Sequence, residues 1–87
     1  MMFMVVERFR KDCAGKVYRR AQEKGRMLPA GLHYLNSWVT KDVDRCFQLM
    51  ETDDPSLFAL WIEKWRDLVE FEVIPVVSSA EAAEHIR

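Results

Sequence analysis

The order of the hydrophobic segments most constrains the fold of this chain. Strand-like segments are FMVVERF (Phe3–Phe9), LHYLNSWV (Leu32–Val39), RCFQLME (Arg45–Glu51) and VEFEVIPVV (Val69–Val77). Helical periods lie between the first two segments and between the last two. In a chain of 87 residues, this βαββαβ order predicts an α+β fold of the ferredoxin-like kind, a four-stranded antiparallel sheet with two helices on one face. Residues 1–87 then form one domain, in which residues 78–87 are a short helical tail.

Composition narrows the class of protein. Hydrophobic residues make up 49% of the chain, aromatics make up 11%, and the net charge is −1. This predicts a folded domain without a general attraction to nucleic acid or to an acidic membrane. The opening MMFMVV is too short for a secretion signal or a membrane span, and Cys13 and Cys46 have neither metal-ligand spacing nor a disulfide framework. We expect a cytoplasmic protein with reduced thiols and no metal, cofactor, nucleic-acid or membrane partner.

The two helical segments have clear boundaries. Gly25 is expected to end the first helix, because glycine adopts the left-handed conformation readily. Asp54 and Pro55 are expected to start the second helix. In that helix Trp61 and Trp65 are one turn apart, which places both rings on one face. We expect them to be core residues packed on the sheet rather than a stacking platform for a ligand, in contact with Phe47, Leu49 and Phe71.

The hairpin register decides which side chains share a face of the sheet. A loop over residues 40–44 would pair Tyr34 with Met50, Asn36 with Gln48 and Trp38 with Cys46. A two-residue turn would instead place Ser37 beside Cys46. Because a slip of one residue turns every side chain to the other face, these are alternative surfaces. We prefer the first register, in which Leu35, Ser37, Phe47 and Leu49 face the helices.

This register leaves a mixed polar and aromatic surface on the side of the sheet away from the helices, which we call the open face. An uncovered face of this kind predicts a homodimer in which two sheets pack together, and a small-molecule ligand in the inter-sheet cleft. On the fourth strand, Glu70, Glu72 and Ile74 are expected there, and on the first strand either Glu7 or Arg8. The predicted ligand-binding residues are Glu7, Arg8, Tyr34, Asn36, Trp38, Cys46, Gln48, Met50 and Glu72.

Several of these side chains could carry chemistry. Glu7, Glu70 and Glu72 could supply carboxyl groups with a raised pKa for proton transfer, or they could pair with Arg8, Arg10 and Arg45. Cys46 is expected to be a small buried hydrophobic residue rather than a nucleophile. His33 is expected on the helix side near Glu51, and His85 in the tail, so neither is expected in the cleft.

A family resemblance rests on long segments of the chain. RCFQLMETDDP, WRDLVEFEVIPV, MVVERF and the segment Gly25–Pro29 resemble the uncharacterised bacterial family called domain of unknown function 3303. The resemblance covers nearly the whole chain and implies a dimeric α/β-barrel fold, but it implies no activity. Two functions remain open: a homodimeric ligand-binding or interaction protein, and a small cofactor-independent enzyme, monooxygenase-like or isomerase-like, acting on an organic molecule.

Overall fold

The computed structural model describes residues 1–86 and has the predicted order of elements. Arg87, the last residue of the predicted tail, lies outside the described residues. The elements are β1 (Met2–Phe9), α1 (Ala14–Lys24), β2 (His33–Val39), β3 (Arg45–Glu51), α2 (Leu57–Ile62), β4 (Val69–Val76) and α3 (Ser79–His85). The strands form one four-stranded sheet in the order β2-β3-β1-β4, and every pairing is antiparallel. The ferredoxin-like α+β fold is therefore confirmed.

Strand β1 lies in the centre of the sheet, and its alternate side chains define the two faces. Phe3 and Val5 are buried in the core with Val17 of α1 and Trp61 of α2, so both helices cover this face. Met4 and Val6 point the other way and are only half-buried. Since directly paired residues in an antiparallel sheet share a face, the partners of β1 extend this assignment to the neighbouring strands.

The first helix ends before Gly25 as predicted, whereas the second begins at Leu57, with Ser56 rather than Asp54 as its N-cap residue. Gly25 follows α1 with a φ of 67° and a ψ of −161°, so it has the positive φ that glycine adopts readily but not the left-handed helical conformation that was expected. The Asp54 carboxylate accepts hydrogen bonds from the main-chain N–H and the hydroxyl of Ser56, at 3.1 and 2.5 Å, and so organises the start of α2. The Ser78 hydroxyl accepts from the main-chain N–H of Glu81 at 3.1 Å and begins α3. No helix among residues 1–86 is both long and apolar enough to cross a membrane.

The tryptophans of the second helical segment are core residues, as predicted. Trp61 and Trp65 are buried, and the Trp61 ring centre lies 5.3 Å from that of Phe71 in an edge-to-face arrangement. The predicted contacts with Phe47 and Leu49 are wrong. Those side chains are paired with Val6 and Met4 and therefore lie on the open face.

The register of the β2–β3 hairpin also differs from the prediction. Thr40 donates its main-chain N–H to the Arg45 carbonyl at 2.9 Å, so the loop closes one residue further along β2 than expected, and Val39 pairs with Cys46. Farther from the loop, Tyr34 pairs with Met50 as predicted, because an irregularity between Tyr34 and Asn36 inserts one extra residue, Leu35. We call this the Leu35 bulge.

The one-residue shift at the loop separates the residues that were expected to be cross-strand neighbours. Asn36 pairs with Leu49, whereas Gln48 pairs with Ser37, so the predicted Asn36–Gln48 pair does not exist. A local hydrogen bond accompanies the bulge: the Asn36 side-chain oxygen accepts from the main-chain N–H of Ser37 at 2.8 Å. A side chain that bonds the neighbouring backbone competes with the regular ladder.

Candidate functional site

The structure divides the predicted ligand-binding residues between the two faces of the sheet. One group shares the helix-covered face with Phe3 and Val5, through the pairs Phe3–Met50, Val5–Gln48 and Glu7–Cys46 and through the Tyr34–Met50 pair. The other group lies on the open face. The helix-side group is Glu7, Tyr34, Cys46, Gln48 and Met50, and the open-face group is Arg8, Asn36, Trp38 and Glu72. The prediction that they share one face is therefore wrong, and of the two β1 alternatives Arg8 is the residue on the open face.

The helix-side group borders a pocket between the sheet and the helices, which we call the helix-side pocket. It has a volume of about 310 Å³. Its walls are mainly aromatic and aliphatic side chains, with a few polar groups from β1, β2 and β3. Its lining residues are Glu7, Phe9, Val17, Tyr18, Ala21, Gly25, Arg26, Ser37, Val39, Cys46, Gln48, Trp61 and Trp65. Since Tyr18, Arg26 and Val39 are exposed, we place the mouth of the pocket at these residues.

Glu7 is the buried acid of this pocket. Its side chain is 7% exposed. Burial raises its pKa from 4.5 to about 7, although the hydrogen bond from Gln48 and the charge of Arg26 oppose the shift. The Gln48 amide N–H donates to one carboxyl oxygen, Oε2. Glu7 therefore changes protonation state near neutral pH, which suits a proton donor or acceptor.

A chain of polar contacts leads from Glu7 to the mouth of the pocket. The Arg26 Nε–H donates to the side-chain oxygen of Gln48 at 2.9 Å. The Arg26 guanidinium carbon lies 3.6 Å from the centre of the Tyr34 ring, which is close cation–π stacking. The hydroxyl groups of Tyr34 and Ser37 are hydrogen-bonded at 2.7 Å. We call Glu7, Gln48 and Arg26 the polar relay.

The loop that carries Arg26 is held by the two core tryptophans. The indole N–H groups of Trp61 and Trp65 both donate to the Arg26 carbonyl oxygen, at 2.9 and 3.1 Å. Gly25 and Met27, on either side of Arg26, have positive φ angles of 67° and 59°. A left-handed conformation is uncommon for methionine, so the loop is fixed by its contacts rather than by local preference. These contacts fix the backbone from which the guanidinium reaches the pocket.

Two other ionisable side chains border the same space. Burial, with a smaller effect from the charge of Glu7, raises the pKa of the Cys46 thiol from 9.0 to about 11. The thiol is therefore protonated at neutral pH and is a poor nucleophile. Burial, Cys46 and Glu7 also raise the pKa of the Tyr18 hydroxyl. Among the groups around the pocket, Glu7 is the one suited to exchange protons near pH 7.

The remaining candidates lie outside this pocket. Glu70 forms an ion pair with Arg10 at 3.2 Å, and Glu72 is on the open face, so the three carboxyl groups do not form a cluster. His33 pairs with Glu51, as expected, but on the open face rather than the helix side, since Glu51 is also paired with Met2. His85 is exposed in α3. Within residues 1–86 no group of three His, Cys, Asp or Glu side chains is placed to hold a metal ion.

Three polar residues that line the pocket, Tyr18, Arg26 and Ser37, were not among the predicted ligand-binding residues. The apolar spacing of α1, in which Tyr18 lies, gives no sign of a binding role. Arg26 lies in the segment Gly25–Pro29, but the sequence of a loop does not indicate the direction in which its side chain points. Ser37 was expected on the helix side but not as a binding residue, and it borders the pocket because it pairs with Gln48. The pairing of β1 with β3 would have been the signal, since it aligns Glu7 and Gln48 with Val5.

The open face has a different character. Trp38 is 53% exposed and Ile74 37%, and they lie with the half-buried Val6, Phe47 and Leu49 on this surface. Arg8 is directly opposite Arg45 on one side and Glu70 on the other. No described residue forms an ion pair with Arg8, Arg45 or Glu72. The surface is thus an apolar strip with unpaired charges at one end.

The fold and the pocket together define a small α+β protein of ferredoxin-like topology with a polar relay enclosed between its sheet and its helices. Over its full length, residues 1–87, the chain matches the family described as Domain of unknown function (DUF3303), and it belongs to that family. No curated protein matches the chain, and no solved structure matches it either.

Proposed function

We propose that this protein is a cytoplasmic homodimer that binds an organic small molecule in the helix-side pocket of each subunit. The observation that carries the proposal is the polar relay, in which a buried carboxyl group, an amide and a guanidinium group face a pocket with aromatic walls. A concave, largely apolar space with a few convergent polar groups is the usual form of a ligand site. The ligand site is thereby assigned to each subunit's interior instead of the inter-sheet cleft.

The dimer is proposed from the composition of the open face. Contiguous exposed apolar surface of this kind is typical of protein interfaces. In a two-fold arrangement each subunit contributes the same surface, so Arg8 and Arg45 of one copy could meet Glu72 of the other. Apolar burial would then be combined with pairing of charges that have no partner within one chain. The cytoplasmic location rests on the two free thiols, Cys13 and Cys46.

Light scattering tests the dimer. We expect a mass of twice the 10.3 kDa chain at micromolar concentration. Trp38→Glu should shift it to one chain, because it places an acid in the proposed interface. The matched control is Leu60→Glu, which changes a similarly exposed apolar residue, 59% exposed, on α2. A wild-type protein that remains a folded monomer would contradict this part of the proposal.

Chemical-shift mapping tests the pocket. In proton–nitrogen correlation spectra, a bicyclic aromatic ketone such as β-tetralone should move the signals of Gly25, the Gln48 side-chain amide and the indole N–H groups of Trp61 and Trp65. Val39→Trp should block the mouth and abolish these shifts, whereas Leu60→Trp should leave them unchanged. Shifts confined to the open face would instead support a site in the inter-sheet cleft.

A second candidate function, a small cofactor-independent enzyme, is favoured by one specific observation. The pKa of Glu7, about 7, matches the range in which a general acid or base is most effective at neutral pH. The test is whether a bound compound exchanges protons in a manner that depends on Glu7.

A further inference from the structure

Both ends of the polar relay have hydrogen-bonding capacity that the described residues do not use. At one end, Glu7 Oε2 accepts from Gln48, and this is the one hydrogen bond that the Glu7 carboxyl group receives from the described residues. At the other end, the Arg26 Nε–H donates to Gln48, while no described residue accepts from the two Nη groups. Glu7 and Arg26 both line the helix-side pocket. An acceptor and a set of donors are thus available to a molecule in the same space.

Gln48 fixes the distance between these two ends. Its amide is hydrogen-bonded on both sides, to Glu7 through nitrogen and to Arg26 through oxygen. Because Arg26 also stacks on Tyr34, its planar group is held in one orientation. A ligand that satisfies both ends must offer a hydrogen that can be transferred and, close to it, an oxygen that can accept. A carbonyl oxygen and the hydrogens on the adjacent α-carbon have this relation.

We propose that the helix-side pocket takes a planar cyclic carbonyl compound that can enolise, and that Glu7 transfers its α-proton while Arg26 binds the carbonyl oxygen. The proposal rests on the pocket being the ligand site and adds the substrate class and the reaction. The aromatic walls formed by Phe9, Tyr18, Trp61 and Trp65 suit flat rings. A volume of about 310 Å³ is sufficient for two fused rings.

The reaction balances without an oxidant or a cofactor. The α-carbon–hydrogen bond breaks, and the proton goes to Glu7 Oε1. The electron pair of that bond forms a carbon–carbon double bond, and the carbonyl π electrons move to oxygen. The resulting enolate oxygen is held by the Arg26 guanidinium, a preorganised cation in a partly dry site. Glu7 then returns the proton to the same carbon or to a conjugated one, and the net change is exchange or isomerisation.

The electrostatics of the site agree with these roles. The groups whose charges act with Glu7 are Arg26 from the loop after α1, Cys46 from β3 and Tyr18 from α1. Cys46 and Tyr18 are neutral at pH 7, because the pKa values of both are raised. Arg26 is then the cation that can offset the negative charge formed on the substrate. Since Glu7 acts as a base in its ionised form, the rate should rise with pH and level off above about 7.

The experiment is hydrogen–deuterium exchange of β-tetralone in deuterated buffer, followed by NMR with the full-length protein. We expect protein-dependent exchange at the α-carbon. Glu7→Gln keeps the shape and the acceptor for Gln48 but has no base, so the rate should fall about 100-fold. Arg26→Met keeps the main-chain carbonyl that holds the tryptophans but has no charge, so a comparable loss of about 100-fold is expected. Glu23→Gln, on the exposed surface of α1, should leave the rate unchanged.

The outcomes separate this inference from the proposed function. Binding in the pocket with exchange that depends on both Glu7 and Arg26 supports it. Binding without exchange, or exchange that Glu7→Gln leaves unchanged, overturns it and leaves the ligand-binding function in place. If β-tetralone does not bind in the pocket and causes no exchange, the substrate class is wrong. If other bicyclic aromatics also fail to shift the pocket signals, the proposed function fails with it.

Discussion

The side-chain amide of Gln48 donates a hydrogen bond to the carboxyl group of Glu7, although the two residues are 41 positions apart in the sequence. They lie on adjacent strands as diagonal neighbours on one face, two residues out of direct pairing, since Glu7 pairs with Cys46 and Gln48 with Val5. A buried acid usually has a cation in contact with it. Here the contact is a neutral amide, and the cation, Arg26, acts from the far side of that amide. Glu7 therefore has a pKa of about 7.

The first prediction concerns stability as a function of pH. The pKa of Glu7 is raised to about 7 in the folded protein, against 4.5 for the ordinary group, so the folded state binds the proton more tightly than the unfolded state. The free energy of unfolding should therefore fall as pH rises from about 4.5 to about 7 and then level off, by about 3 kcal/mol in all.

Glu7→Gln tests this directly, because it keeps the shape of the side chain and removes the titration. Urea unfolding at a series of pH values should show a much smaller decrease for this variant over that range, and at pH 8 it should be more stable than the wild type. Glu23→Gln is the exposed control. An equal decrease in the wild type and in Glu7→Gln would show that Glu7 is not the group responsible.

The second prediction concerns the two indole N–H groups that share the Arg26 carbonyl oxygen. Trp61→Phe or Trp65→Phe alone removes one donor and leaves the other in place. The double substitution leaves the carbonyl without either donor. The free energy of unfolding should therefore fall by about 1 kcal/mol more than the sum of the two single decreases. A double-mutant cycle from denaturant unfolding measures this coupling, and simple additivity would contradict it.

The third prediction concerns the bidentate ion pair between Arg20 and Asp67. Two guanidinium nitrogens donate to the two carboxylate oxygens at 2.8 and 2.7 Å. The hydrogen bonds from Arg20 lower the pKa of Asp67 from 3.8 to about 2. In Arg20→Gln the pKa of Asp67 should return toward 3.8, as measured by NMR titration of the carboxyl carbon. Arg66→Gln, which breaks only the neighbouring pair with Glu63, should leave it unchanged.

The fourth prediction concerns the two thiols. Burial raises the pKa of Cys46 to about 11, and alkylation requires the thiolate. In a Cys13→Ser variant, which has Cys46 alone, native protein should resist iodoacetamide at pH 8, and the thiol should react readily once the protein is unfolded. Mass spectrometry over time measures both rates. Rapid alkylation of the folded variant would show that Cys46 is accessible and ionised.

The elements of the fold were predictable because each carries a local signal. Strand segments, the glycine after α1 and the Asp54–Pro55 turn shortly before α2 depend on residues close together in the sequence. The prediction that Trp61 and Trp65 are core residues is confirmed for the same reason, because their spacing in the sequence places both rings on one side of the segment.

The candidate site was predictable only in part, because its geometry depends on contacts between distant segments. Hydrophobicity favoured Phe47 and Leu49 for the core, yet the structure places Gln48 and Cys46 there. Gln48 is acceptable inside because Glu7 and Arg26 satisfy its amide. That compensation involves three separate segments, and no periodicity in any one of them reveals it.

The Leu35 bulge divides the edge strand β2 into two short segments. Even-numbered side chains face the helices in the first segment, and odd-numbered side chains face them in the second. Before it, the even-numbered Tyr34 faces the helices, and after it, the odd-numbered Ser37 and Val39 do so. Deleting Leu35 would make Tyr34 and Asn36 consecutive residues opposite Met50 and Leu49, so the strand would become regular and each side chain would keep its face. In protein engineering, this is the position of β2 at which one residue can be removed without exchanging its inner and outer surfaces.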